Sequence, residues 1–266
     1  MRTAAWVSVF MFIWLMPGLT IAQEEPVTLT IFHTGDIRGQ FVEAGEAIGM
    51  ARIASLVAVT DNALLFDAGG VGLDPGAVGI MNAAGYSVMV PGLEDYAFLL
   101  LRAQAEFDII AANLYRHGEL VLQPFTIIEA AGKRIGVFGL VGGSPGGFQV
   151  ADCVAVSLAM VGILDGLGVD LVVCFSQLGV EGSKVVAREV EGIDVMISAG
   201  DSWSKVQWAG NTLLASVAAE SRELGRIDVT FWGEGFYLSA GYLTGEDLAG
   251  IKPHLGIEQL VGAAYE

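Results

Sequence analysis

Histidine, cysteine and basic residues are all scarce in this chain. Its 266 residues hold three histidines, His33, His117 and His254, and two cysteines, Cys153 and Cys174. That is too few for a Cys/His zinc cluster or for a disulfide framework. Cys174 lies in an apolar run, so two buried thiols are expected, with one disulfide as the alternative that an oxidising compartment permits. Charged residues make up only 16% of the chain, and 13 Lys and Arg against 30 Asp and Glu leave a net charge of −17. This balance repels phosphate backbones and anionic membrane surfaces, which argues against a nucleic-acid duplex as partner. With 53% hydrophobic residues and 36 glycines, intrinsic disorder and coiled coil are excluded as well. What is left is a buried α/β chain, long enough to remove about three quarters of its unfolded surface from water without staples.

The first 22 residues differ from the rest. Met1-Arg2-Thr3 is a short basic start, Ala4 to Met16 is apolar, and Pro17-Gly18 breaks the run before Thr20-Ile21-Ala22. This is the pattern of a cleavable signal peptide with its cut before Gln23, and it predicts an exported protein, periplasmic or secreted. The alternative is an uncleaved anchor, which the early Pro-Gly disfavours. No cysteine follows the cut to accept a lipid. No other segment has the length and turn-free composition of a membrane span, so none is expected once the leader is removed.

Beyond the leader, periodicity alternates between strand and helix. Val27 to Phe32 reads as a strand running into a Gly-rich turn, His33 to Gly39, and Ile48 to Val59 as a helix with apolar residues at 3-to-4 spacing. Ala63 to Phe66 is a short buried strand before the glycine-rich Asp67-Ala68-Gly69-Gly70-Val71-Gly72. Further short strands are expected at Ser87 to Val90, Asp108 to Ala112, Phe125 to Glu129, Arg134 to Leu140, Leu171 to Phe175 and Val195 to Ser198. Ala130 to Lys133 signals a hairpin and Val154 to Leu167 a helix, which makes the sheet mixed. After Leu213 to Ala219 the pattern turns to β, with Arg226 to Phe231 and Phe236 to Leu243, and Gly245 to Glu266 closes as one helix. No repeat, charge block or linker divides the chain after residue 22, so residues 23–266 are expected to form one domain.

Several of these segments carry a family pattern. Thr28-Leu29-Thr30-Ile31-Phe32-His33-Thr34-Gly35-Asp36-Ile37-Arg38-Gly39 resembles an opening strand with a T-N-D-x-H-G loop. Leu64-Leu65-Phe66-Asp67-Ala68-Gly69-Gly70 resembles a strand ending in D-A-G-D. Gly92-Leu93-Glu94-Asp95-Tyr96-Ala97 follows Met81 to Tyr86 where G-N-H-E-F-D would stand. Ala112-Asn113, Gly132 to Leu140, Gly168 to Asp170 and Gly192 to Val195 come in the same order. Over about residues 26–243 the chain thus resembles the metallophosphatase domain of the 5'-nucleotidases, a branch of the calcineurin-like phosphoesterases. The resemblance implies a four-layer αββα sandwich of two mixed β-sheets, with the site on loops that follow strand ends. The family's C-terminal nucleotide-recognition domain is not expected within this sequence.

In that family two divalent metals are held by Asp and His of the first loop, a bridging Asp of the second, Asn of the third, His of a fourth and two groups of a G-H-x-H or G-H-x-Q loop. Carried over position by position, the resemblance keeps the first Asp as Asp36. It puts Arg38 at its His partner, Gly70 at the bridging Asp, Leu93 at the Asn, Gln177 at the fourth-loop His, and Asp201 and Trp203 at the last two. The third-loop His that acts as acid, and its supporting Asp, become Glu94 and Ala97. Two dications about 3.5 to 4 Å apart repel by about 17 to 19 kcal/mol at an effective dielectric of about 20, and a bridging carboxylate offsets that. Gly70 supplies none, and an arginine cannot coordinate a metal. Two arrangements follow. In the first, Arg38 stands where a metal's charge would be and pairs with Asp36, Asp201 or Glu94, and no cofactor is bound. In the second, Asp36, Asp201, Glu94 and Gln177 offer oxygen donors to a single hard divalent cation.

The other candidates carry less. His33 reads as structural, and His117 and His254 as solvated. Ser176 has no histidine in its segment to make a nucleophile of it. Trp203 and Trp208 read as aromatic packing before they read as a ligand wall, although Trp203 with Arg38 marks a possible binding surface. The stretch from Gly69 to Gly79 lacks the Lys-Ser/Thr of a phosphate loop. The leading expectation is an exported 5'-nucleotidase-like protein, catalytically degenerate, serving as a binding or interaction module for a protein or small-molecule ligand. The alternative is a phosphoesterase or 5'-nucleotidase working through a non-standard, mononuclear metal site.

Overall fold

A computed structural model describes residues 25–72, 75–92, 95, 98–143, 146–200 and 204–265. The expected leader and the candidates Glu94, Asp201 and Trp203 lie outside them.

The chain opens with β1 (Val27–Thr34), α1 (Met50–Val59), β2 (Ala63–Asp67), α2 (Pro75–Ala84), β3 (Tyr86–Met89), the short helix α3 (Phe98–Leu101) and β4 (Asp108–Ile109). A small three-stranded sheet follows from β5 (Leu114–Arg116), β6 (Glu119–Leu120) and, later in sequence, β9 (Gln149–Val150). The second half holds β7 (Phe125–Ala130), β8 (Lys133–Leu140), α4 (Cys153–Gly166), β10 (Leu171–Ser176), α5 (Gly179–Glu189) and β11 (Val195–Ser198). It ends with β12 (Lys205–Ala209), β13 (Thr212–Ser216), β14 (Leu224–Trp232), β15 (Gly235–Leu243) and α6 (Leu255–Tyr265).

Two six-stranded sheets result, ordered β15-β14-β1-β2-β3-β4 and β12-β13-β11-β10-β8-β7. β1 to β4 run parallel in the first, and β14 and β15 extend it antiparallel. In the second, β8, β10, β11 and β13 are parallel, and β7 and β12 close its edges antiparallel. Both sheets are mixed, the first through β14 and the second, as expected, through the hairpin at Ala130 to Lys133; Ala131 and Gly132 take the positive φ of 55° and 70° that such a turn needs. Helices α1, α2 and α6 pack together beside the first sheet, and α4 and α5 beside the second. The architecture is the expected αββα sandwich.

The core lies mainly between the sheets. Leu29 and Ile31 of β1, Leu65 of β2, Val173 and Phe175 of β10, and Val195 and Ile197 of β11 are fully buried in it. Rings of Phe66 and Phe175 meet edge to face across the interface at 5.4 Å. Helix ends follow local chemistry. Asp152 caps α4 by accepting the N–H of Ala155 at 2.8 Å, and Gly168 beyond its end takes a φ of 68°.

Several boundaries depart from the sequence reading. β1 runs on through His33 and Thr34, because β2 pairs with both residues and β14 with His33. Gly76 and Gly79 are helical, since Pro75 starts α2 inside the stretch read as loop. Only Leu255–Tyr265 of the last 22 residues is helix; a turn held by Thr244 and Asp247 precedes it. The two thiols are free, with Cys174 buried and Cys153 part-exposed.

Phe175 joins the two sheets at the centre of the core. Replacing it with alanine is expected to lower stability by about 3–5 kcal/mol, read as a fall in the denaturant midpoint at unchanged slope.

Candidate functional site

Parallel strands of both sheets point their C-terminal ends the same way, and the loops that follow β1, β2, β3 and β10 and β11 converge there, where open α/β sheets place ligands. The first two loops are stitched together by their backbones. Asp36 N–H donates to Gly69 O at 2.7 Å, Arg38 N–H to Gly70 O at 2.9 Å and Gly39 N–H to Val71 O at 2.6 Å. Asp36 and Arg38 sit at φ 50° and 52°, and Gly69, Gly70 and Gly72 at 95°, 75° and 80°. Such runs of left-handed backbone aim successive N–H groups inward, into a nest for an anion.

The anion in that nest is the protein's own. Fully buried Asp95 accepts from Gly70 N at 2.6 Å, Gly92 N at 2.8 Å, Gly72 N at 3.3 Å and Val71 N at 3.4 Å. Burial raises its pKa and the four amides pull it back. Deeper still lies Asp67, which accepts from Thr34 Oγ1 and from Gly69 N, both at 2.7 Å. Burial pushes its pKa up to about 8. The Thr34 hydroxyl is also 2.9 Å from the phenol of Tyr86, so a buried polar chain underlies the loop.

Asp36 and Gln177 come together on this same loop. Asp36 is buried, and its Oδ2 accepts the N–H of Gly200, beyond β11, at 2.8 Å. Its Oδ1 lies so close to Gly70 that a Cβ there would stand 2.2 Å away. Gln177 donates its side-chain N–H to Ala68 O across the two sheets, and a Cβ on Gly69 would fall 2.5 Å from its Nε2. Arg38 is half exposed at the mouth with its guanidinium 3.9 Å from Asp36 Oδ2, a long and solvent-screened pair worth little on its own. Beneath the fourth loop, the buried Ser183 Oγ of α5 lies 2.8 Å from Ser176 Oγ and 3.1 Å from Ser198 Oγ. Ser176 is therefore a structural hydroxyl that ties α5 to the ends of β10 and β11.

Of the residues singled out from sequence, Asp36, Arg38 and Gln177 meet here. Among the described residues, no group of three or more His, Cys, Asp or Glu gathers as a metal site would. Sequence reasoning missed Asp95 and Asp67. Their partners are backbone amides and a threonine, which leave no spacing rule to read; a short acid beside a glycine-rich stretch is the only signal. His117 and His254 are exposed, as expected.

His33 is buried in the core, 1% exposed, and neither ring nitrogen has a hydrogen-bond partner among the described residues. It fits because its neighbour on β14 is glycine: a Cβ on Gly225 would lie 2.0 Å from His33 Nε2. Burial lowers its pKa to about 4.

No family model matches the chain. In sequence it is similar to a 5'-nucleotidase of Diplobatis ommata, 26% identical over 229 residues, which cover 69% of this chain and 39% of that protein. The chain thus spans about two fifths of the length of the curated relative it matches. In structure it is similar to a calcineurin-like phosphoesterase from Bacillus subtilis, with a TM-score of 0.74 and 19% identity over 90% of this chain and 97% of the other. A 5'-nucleotidase precursor from Thermus thermophilus superposes at 0.74, with 22% identity over 89% and 58% of the two chains. The NAD nucleotidase of Haemophilus influenzae follows at 0.73, with 16% identity over 90% and 60%. The fold is that of these metallophosphatases, and the sequence resemblance is to the 5'-nucleotidases.

The buried imidazole makes stability depend on acid. An unfolded chain protonates His33 below its ordinary value of 6.5, whereas the folded chain does so only near 4. The stabilisation is present above pH 6.5 and is lost as pH falls towards 4, by on the order of 3 kcal/mol. Asp67 titrates in the opposite sense: its contribution, full below pH 3.8, is lost as pH rises through about 8. The readout is therefore a difference. His33→Leu is expected to gain stability relative to the parent as pH is lowered from 6.5 to 4, measured by urea unfolding at each pH.

Proposed function

We propose that this is an exported protein of phosphoesterase fold whose site loops are fastened by protein contacts in place of a dinuclear metal centre, and that it acts as a binding or interaction module. The observation that carries the reading is the contact of Asp36 with Gly70. Asp36 is the site's one carboxylate in the position of a family ligand among the described residues. Its Oδ2 is engaged by Gly200 N–H, and its Oδ1 occupies the space that a side chain on residue 70 would need. A pair of metals, when bound in such a fold, supplies a polarised phosphoryl oxygen and an activated water. The residues at this junction do not fit that pair: a glycine replaces the bridge, and a guanidinium that is always charged stands beside the carboxylate.

Support for binding comes from the same residues. Arg38 is the half-exposed cation at the mouth, and a guanidinium suits a carboxylate or phosphate group on a ligand. The loop beneath it is rigid, because its amides already have Asp95 as acceptor. Asp201 and Trp203 join Arg38 in this reading as further candidates for ligand contact. The rival reading is hydrolysis of phosphate esters through one metal held by Asp36, Gln177, Asp201 and Glu94, and it stands against this one in the test.

Purified protein should show the same melting temperature in EDTA, Mg²⁺, Mn²⁺, Ca²⁺ and Zn²⁺, alone and with nucleotides, and release no phosphate from nucleoside monophosphates above the blank. A rise with one hard divalent ion, accompanied by phosphate release and abolished by Asp36→Ala, would reverse the assignment. Restoring the bridging acid should not help. Gly70→Asp forces a left-handed residue and a clash with Asp36, and is expected to cost about 2 kcal/mol or more, seen as a lowered melting temperature without added metal.

A further inference from the structure

β15 ends the first sheet, and its outer edge has no partner among the described residues. All nine residues of Gly235–Leu243 pair with β14 without a bulge. None carries a charge and none is proline. Natural sheets blunt their edges with lysines, prolines, bulges or very short strands, and this edge has none of those devices. Burial points the same way. On β14 the core-facing Ile227 and Val229 are fully buried and Phe231 is 4% exposed. Their neighbours on β15, Ala240, Leu238 and Phe236, pack on the same core yet remain part-exposed, and no residue of β15 is buried. The core is open at this edge, in a chain whose net charge is −17.

We propose that β15 pairs antiparallel with β15 of a second copy of this chain, about a two-fold axis through Ser239, so that the two sheets become one. Opposed residues of an antiparallel pair share a face, so such an axis must pass through a residue. Centred on Ser239, the strand complements itself. Tyr237 of one copy faces Gly241 of the other, and Leu238 faces Ala240. Both of these pairs set a large side chain over a small one, with an aromatic ring covering a strand glycine, and Phe236 meets Tyr242 as an aromatic pair. The room exists: a Cβ on Gly241 meets nothing within 4 Å, and Tyr237 is 63% exposed. Nine paired residues supply about eight to ten interchain N–H···O=C bonds, and no charge on either strand opposes them.

Sedimentation equilibrium on protein purified from cells expressing the full chain tests this. The parent is expected to dimerise with concentration. Ser239→Lys and Ser239→Asp each set like charges face to face at the axis, and each should weaken the dimer at least tenfold while keeping the parent's circular dichroism. An equal mixture of the two variants should associate again, because lysine then faces aspartate; this outcome depends on the axis lying at residue 239. A parent that stays monomeric at its solubility limit overturns the proposal, as does a dimer that neither substitution weakens. Should a variant misfold, hydrogen exchange on the parent decides. Amides of residues 235–243 gain protection as concentration rises if the pairing is right, and show no change if it is wrong.

Discussion

The site hangs on one buried carboxylate. Asp95 gathers four backbone N–H groups from two loops, those after β2 and β3. Each of those donors, left alone in the interior, would carry a desolvation penalty of about 1–3 kcal/mol. Gly70, Val71 and Gly72 can turn their amides inward only because an acceptor waits there. Once that loop is set, its carbonyls fix the loop after β1 through Asp36, Arg38 and Gly39. Asp36 in turn reaches Gly200 after β11. Five strand ends, three from the first sheet and two from the second when Gln177 is counted with its bond to Ala68, are thereby locked in one arrangement.

That chain of dependence bears on how several buried acids are accommodated where the loops converge. Two dications draw loops together by attracting their carboxylates, and those carboxylates repel one another when the cations are taken away. In this chain each acid has hydrogen-bond partners of its own, while Asp95 and Asp36 still help push the pKa of Asp67 up. Asp95 is answered by amides, Asp67 by a hydroxyl and an amide, and Asp36 by an amide and, at 3.9 Å, by Arg38. Each has hydrogen bonds of its own, which in the proposed reading hold the loops together in place of shared cations. The proposed loss of hydrolysis and the ordering of the loops thus rest on the same short-range hydrogen bonds.

Much of this architecture was legible in the sequence where burial on both faces left long apolar runs. β8, β10 and β11 read clearly because a parallel strand between helices and a second sheet has no polar side. α5 did not, since Gly179-Val180-Glu181-Gly182-Ser183 opens it with two glycines and little apolar periodicity; its place is fixed by Ser183 between Ser176 and Ser198. β12 is a five-residue edge with an outward Trp208, 58% exposed, and edges carry weak alternation. In the site, Asp36 and Gln177 were found by their place in a family pattern. The roles of Asp95 and Asp67 depend on where backbone amides point, and that direction is settled by glycine conformations that no residue spacing encodes.

The site loops and the edge of the first sheet use their polar groups in opposite ways. At the loop end, nearly every donor aimed inward is matched to an acceptor within the chain, and the buried acids are individually compensated. At β15, the outward backbone groups of a nine-residue strand and a part-exposed strip of core are left unmatched among the described residues. A protein that binds through its site needs those loops held still, and a strongly acidic chain that associates needs an uncharged strip on which to do so. The first demand is met by Asp95 and its amides and the second by the composition of β15. The two lie on different elements: the acceptor that fixes the loops follows β3, whereas the uncharged strip is the edge strand, two strands away from β1.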